Sequence, residues 1–185
     1  PRTDGDTVRS GLLIGLCGLW AVRLGLHLFL RWRSHGEDRR YADLIGRQMK
    51  TGKSWPMVAL LFVFLPQGVL AWLTSLPVQL GQVAAAPPVG WLGWTGVALF
   101  AIGLVFETVG DAQLAVFRRD PSTKGQVLDT GLWRYTRHPN YFGDACLWWG
   151  LYLIAAETGL GAWSILGPLL ITLLLTKGSG APTVE

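Results

Sequence analysis

The sequence predicts an all-α integral membrane protein, a multi-pass bundle of about five transmembrane helices. Three observations carry this expectation. Half of the 185 residues are hydrophobic and the mean hydropathy is +0.35; an ordinary soluble domain has an apolar content of about 45–50% even with glycine counted. The chain holds 24 glycines, and glycine is commoner in membrane helices than in soluble ones. Positive charge also alternates along the chain: 31–53 and 110–140 are rich in it, whereas 77–88 and 157–161 have none.

The first apolar run, Leu12–Leu30, is long enough to cross a hydrocarbon core of about 30 Å at about 1.5 Å per residue. Arg23, His27 and Arg31 follow one another at i, i+4 and i+8 and so share a face. Ionisable groups in a span usually face a bundle interior or a wet cavity. Two plainer readings stay open: Arg31 as an interfacial anchor, and His27 as a hydrogen-bonding partner for a neighbouring helix. The stretch 31–53 carries seven cations, with Glu37, Asp38 and Asp43 among them, and Tyr41 and Leu44 would let part of it lie on the membrane surface.

The second span is expected at Trp55–Leu76, kinked at Pro66, with Gln67 seeking a partner inside the bundle. The third runs from about Val89 to Val109 and continues as a more polar helix to about Arg119, where Asp120-Pro121-Ser122 ends it. The fourth is about Tyr141–Ala156 and the fifth about Ala162–Thr176, joined by a tight turn at 157–161. By the positive-inside rule both basic stretches are cytoplasmic, with the N-terminal end outside and the C-terminal end inside.

Several function classes find no support. Cys17 and Cys146 both fall in apolar spans, and no Cys/His spacing suggests a metal. No G-x-G-x-x-G follows a strand, and there is no P-loop. No internal repeat or nucleic-acid motif is present, and topology accounts for the basic stretches.

The chemistry concentrates in two segments within 104–144. In Gly131-Leu-Trp-Arg-Tyr-Thr-Arg-His-Pro-Asn-Tyr-Phe-Gly-Asp144, the proline disfavours helix at His138 but suits the first turn of the helix that follows. Arg134, Arg137, His138 and Asn140 are therefore expected on an irregular segment at the mouth of an apolar helix. Unpaired amides and clustered cations there would hold phosphate; a basic loop that only sets orientation is the plainer alternative. Upstream, Glu107, Asp111 and Arg118 share a helix face. The carboxylates can accept from ribose hydroxyls or a carboxamide, and Arg118 can clamp a phosphate bidentately. Asp111 and Arg118 also read as ordinary juxtamembrane charges.

These two segments, Glu107-x-x-x-Asp111 with Phe117-Arg-Arg-Asp-Pro121 and Gly131-Leu-Trp133 with Arg137-His-Pro-Asn-Tyr-Phe-Gly-Asp144, resemble the C-terminal signature of the steroid 5α-reductase-like membrane reductases. That group includes the sterol Δ14- and Δ7-reductases and a bacterial branch of unassigned substrate. A related Arg-His-Pro-x-Tyr-x-Gly signature occurs in isoprenylcysteine carboxyl methyltransferases, which bind S-adenosylmethionine; Asn140 and Asp144 tilt the resemblance towards the reductases.

The resemblance implies NADPH entering from the cytosol, a lipophilic substrate arriving from the bilayer, and hydride transfer to an electron-poor C=C. It places Glu107, Asp111, Arg118 and Asn140 at the cofactor, with Lys124, Arg134, Arg137 and His138 beside them. Tyr141, Tyr135 and His27 are candidates for supplying the proton or polarising the substrate. No metal and no nucleic acid is expected, and a bacterial plasma membrane fits better than the endoplasmic reticulum. The alternatives are methyl transfer from S-adenosylmethionine and a non-catalytic scaffold. The chain begins at Pro1 and stops at Glu185, whereas the resemblance implies further helices upstream and an aromatic, basic tail; 1–185 is expected to be one membrane domain and a piece of a longer protein.

Overall fold

The computed structural model describes residues 6–36, 39–83 and 87–177. Glu37, Asp38, the side chains of Arg39 and Arg40, and everything after Lys177 lie outside the described residues. Within them the chain is a helical membrane bundle without strands. Its helices are α1 (Thr7–His35), α2 (Arg39–Met49), α3 (Trp55–Ala59), α4 (Leu65–Thr74), α5 (Leu76–Leu80), α6 (Trp91–Arg119), α7 (Pro139–Ala156) and α8 (Leu166–Lys177). Three rods are long and apolar enough to cross a membrane: Thr7–Ser34, Trp55–Thr74 and Trp91–Arg119. The apolar helix Gly161–Lys177 is shorter, and Asn140, Tyr141 and Asp144 make the start of α7 polar.

Local chemistry sets most boundaries. Asp6 caps α1 by accepting from the Val8 N–H at 3.1 Å, and Gly36, at φ 73°, ends it in a left-handed conformation that glycine adopts without strain. Asp120 closes α6 and accepts from the Ser122 N–H and hydroxyl. Pro139 begins α7, where its missing N–H leaves no bond unmade.

Three features differ from the sequence expectation. Pro66 does not simply kink the second rod. A π-helical turn, Leu60–Phe64, precedes it and joins α3 to α4. Pro66 cannot donate to the carbonyl four residues back and its ring crowds it, and the wider turn absorbs both problems. Gln67 consequently faces outward and donates to the Tyr41 hydroxyl of α2 at 2.6 Å on an exposed face, rather than bonding inside the bundle. The second rod also breaks at Ser75, and the stretch expected as a bare loop begins with the short helix α5. Finally, the basic stretch is helical over Arg39–Met49, with Ile45 buried and α2 packed on α3.

Helices α6 and α7 form the most intimate pair, running antiparallel on a seam of glycines. Gly96 lies against Gly150 and Gly103 against Gly143; a Cβ on Gly103 would sit 2.5 Å from Gly143 O. Seven-residue spacing keeps Gly96, Gly103 and Gly110 on one stripe. In a bilayer the apolar effect does not drive helices together, so close approach of small residues is what holds such a pair. Around the seam the core is Leu13, Phe100, Leu147, Trp148, Leu151 and Ile154. Large apolar side chains elsewhere, Val22, Phe64 and Trp91 among them, are exposed, as lipid-facing positions require.

Candidate functional site

Two polar clusters tie α1 to the α6–α7 pair, one at the start of α1 and one near its middle. At the first, Arg9 is wholly buried. It donates to Ile154 O at 3.1 Å, Pro87 O at 2.9 Å and Glu157 Oε2 at 2.9 Å. Glu157 also accepts from the Gly90 and Gly93 N–H groups at the start of α6 at 3.0 and 2.9 Å. Burial alone pushes the Glu157 carboxyl up, but the two N–H donors and the Arg9 guanidinium outweigh it and hold the group below its ordinary value. Apart from Asp6 Oδ2, which stands 3.9 Å from Arg9 Nη1 without a hydrogen bond, the polar groups here are engaged, so this cluster is a fastening.

The second cluster is different because it is incomplete. Arg23 of α1 donates to Glu107 Oε1 at 2.6 Å, to Glu107 O at 2.8 Å and to Asp111 Oδ2. Asn140, in the first turn of α7, donates to Asp111 Oδ1 at 3.2 Å, while its own oxygen accepts from the Tyr141 N–H at 3.1 Å. His27 Nε2 stands 3.7 Å from Asp111 Oδ2. Asp144, one turn along α7, is near enough to act on Glu107 electrostatically. Three carboxylates thus gather near one guanidinium, which pairs with two of them. Glu107 Oε2, Asp144 Oδ1 and the Trp20 indole nitrogen are buried without a well-formed hydrogen bond, the single Trp20 N–H standing beside both carboxylates. A buried polar atom without a partner costs about 1–3 kcal/mol, so the cluster has capacity to bind.

Beyond it, on the same end of α6, lies an open pocket of about 990 Å³. Its wall carries four cations, Arg118, Arg119, Lys124 and Arg137, against two carboxylates, Asp120 and Asp129. None of the four cations has a hydrogen bond or ion pair to the described residues. Trp133 links pocket and cluster: its ring lines the pocket and its Nε1–H donates to Gly110 O at 3.1 Å, within a turn of both Glu107 and Asp111. Gln113 holds the same segment by accepting from the Leu132 N–H at 3.0 Å.

The sequence-derived candidates therefore divide. Glu107, Asp111, Asn140 and His27 come together in the cluster. Arg118, Lys124 and Arg137 line the pocket. His138 stacks on Tyr141, ring centroids 4.8 Å apart and planes 9° from parallel. Arg134 and Tyr135 are exposed and belong to neither group. The sequence presents Glu107 and Asp111 as open acceptors, but three of their four carboxylate oxygens are already engaged. Arg23 joins them as a site residue that sequence motifs do not single out, although an arginine one turn before His27 in an apolar run is a visible signal. Among the described residues no group of side chains is arranged to hold a metal ion.

Comparison with known proteins sets this geometry in a family. A probable O-methyltransferase of Ustilaginoidea virens, ustE, is 45% identical over 47 residues, 25% of this chain and 16% of that protein. An uncharacterized protein of Schizosaccharomyces pombe is 25% identical over 80% of this chain and 49% of its own length. The chain thus spans about half of that longer-matched relative. No solved structure matches. The model of the family described as protein of unknown function (DUF1295) matches residues 2–185, so the chain belongs to the DUF1295 family.

Proposed function

We propose that the chain is a steroid 5α-reductase-like membrane reductase that binds NADPH and reduces a C=C bond of a lipophilic, enone-like or sterol-like substrate entering from the bilayer. The observation that carries this reading is the pairing of two unlike subsites along α6. Arg118, Lys124 and Arg137 offer unpaired positive charge around one open pocket, which suits phosphates. Within a few turns, Glu107 Oε2 and Asp144 Oδ1 are buried acceptors without a well-formed hydrogen bond, which suits the N–H of a carboxamide or a ribose hydroxyl.

The bound cofactor would supply hydride to one carbon of the alkene. The protein's own part is to orient it, to exclude water, and to deliver the proton. His27 and Tyr141 adjoin the cluster, whereas Tyr135 is 82% exposed; the first two are the better proton donors. The basic stretches 31–53 and 110–140 support a cytoplasmic mouth for the pocket.

A second reading, methyl transfer from S-adenosylmethionine, is favoured by the identity shared with the probable O-methyltransferase. Calorimetric titration of the purified protein in detergent with NADPH, NADH and S-adenosylmethionine separates the readings. NADPH binding that weakens with salt is expected. Binding of S-adenosylmethionine alone would replace the reductase reading, and binding of none would leave a non-catalytic scaffold.

A further inference from the structure

Resting on that reading of the site, we propose that Arg23 is a positioning residue, which fixes the two α6 carboxylates so that Glu107 Oε2 is the oxygen offered to the bound cofactor. Arg23 makes three contacts with one turn of α6. Nη1 takes Glu107 Oε1 at 2.6 Å, and Nη2 takes both Glu107 O at 2.8 Å and Asp111 Oδ2. The backbone contact matters as much as the ionic ones. It anchors the guanidinium to the helix itself, so its planar fork sets both carboxylate rotamers together. Asn140 then closes Asp111 Oδ1 at 3.2 Å, and Glu107 Oε2 is left as the one oxygen of the pair without a formed hydrogen bond, with the Trp20 indole N–H of α1 beside the carboxylate. Glu107 is only 5% exposed, so solvent cannot readily substitute for a missing ligand donor.

This arrangement assigns α1 a part in recognition. Among the described residues, α1 reaches α6 through ion pairs only at Arg23 and His27; its main helix-to-helix packing is against α7 and α5. The cofactor contacts implied by the family resemblance all lie in the second half of the chain. Arg23 would make the first helix necessary for their geometry. Lysine at this position would supply charge but not the fork, and so would hold one carboxylate and release the other.

The test uses the full chain in detergent, with NADPH and S-adenosylmethionine as probes, and two readouts for each variant: ligand-free melting temperature and probe affinity. Arg23→Gln is expected to lower both, with affinity falling about ten- to a hundredfold; Arg23→Lys should fall between it and wild type. The double variant Arg23→Gln/Glu107→Gln no longer buries an unpaired Glu107 charge, although Asp111 still lacks its guanidinium, so its melting temperature should recover in part while its affinity stays low. Recovery of affinity together with stability would show that Arg23 serves only the fold, and overturn the inference. So would wild-type affinity in Arg23→Gln. If neither probe binds the wild-type protein, the cofactor reading falls and this inference with it; binding that Arg23→Gln leaves unchanged removes this inference alone.

Discussion

Gly103 and Gly143 face each other backbone to backbone: a Cβ on either would stand within 2.6 Å of the other's carbonyl oxygen. Neither oxygen is the end of a flexible side chain, so neither can move aside. Gly103→Ala is therefore expected to part α6 from α7 and cost about 1–3 kcal/mol, read as a lower melting temperature in detergent. Gly18→Ala in α1 is the control, since nothing lies within 4 Å of its added methyl. It should be neutral or stabilising by about 0.5–1 kcal/mol through the better helix propensity of alanine.

Acid should loosen the opposite end of the bundle through Glu157. Its folded carboxyl titrates below the ordinary value of 4.5 because Gly90, Gly93 and Arg9 favour the charged form. The stabilisation is thus complete above about 4.5 and is lost as pH falls through the lower folded value. Melting temperatures measured between neutral and acidic pH should drop in that window, and Glu157→Gln should flatten the drop. Arg9→Ala removes a charge-assisted contact from the half-buried Glu157, which keeps its two N–H donors, and should cost about 1.5–3 kcal/mol at neutral pH.

Arg118 and Asn140 should fail in different ways. Arg118→Ala removes an exposed cation from the pocket wall, so NADPH affinity is expected to fall about tenfold or more, with a shallower dependence on salt. Asn140→Ala removes the amide that engages both Asp111 and the Tyr141 N–H. It should weaken binding without altering the salt slope. Titrations at two or three ionic strengths decide between these outcomes.

The basic stretches fix an expected orientation that labelling can check. With Cys17 and Cys146 replaced, a single cysteine at Gln82 should react with an impermeant reagent from one side of the membrane and one at Ser122 only from the other. Labelling of both from the same side would overturn the assigned topology.

Much of the fold was legible because local rules decide it. Asp120-Pro121 ends α6 and Pro139 opens α7 through steric and capping chemistry confined to a few residues. The glycine seam was also written in the sequence, as a seven-residue spacing at 96, 103 and 110 and again at 143 and 150. It becomes a packing surface only once the two helices are known to be antiparallel neighbours. The candidate site divided the same way. Glu107, Asp111 and Asn140 stood out by their burial in apolar or signature context. That Arg23 would occupy half of the carboxylate oxygens of Glu107 and Asp111 depends on contacts across more than 80 positions, which no local spacing encodes. The π-helical turn before Pro66 was hidden for a related reason: a proline announces a disturbance, but its neighbours decide whether the helix bends or widens.

Arg9 and Arg23 fasten α1 at points separated by about 21 Å, taking about 1.5 Å per residue. A rod held at two such points cannot change its tilt alone. When the surrounding bilayer thins or thickens, α1, α6 and α7 must lean as one body, and the relation between Arg23 and its carboxylates is carried along unaltered. The α3–α4 rod has no equivalent pair of ionic ties among the described residues and contains a widened turn at Leu60–Phe64. Hydrophobic mismatch would therefore be taken up there first, which makes the protein's tolerance of lipid chain length a property of its second span.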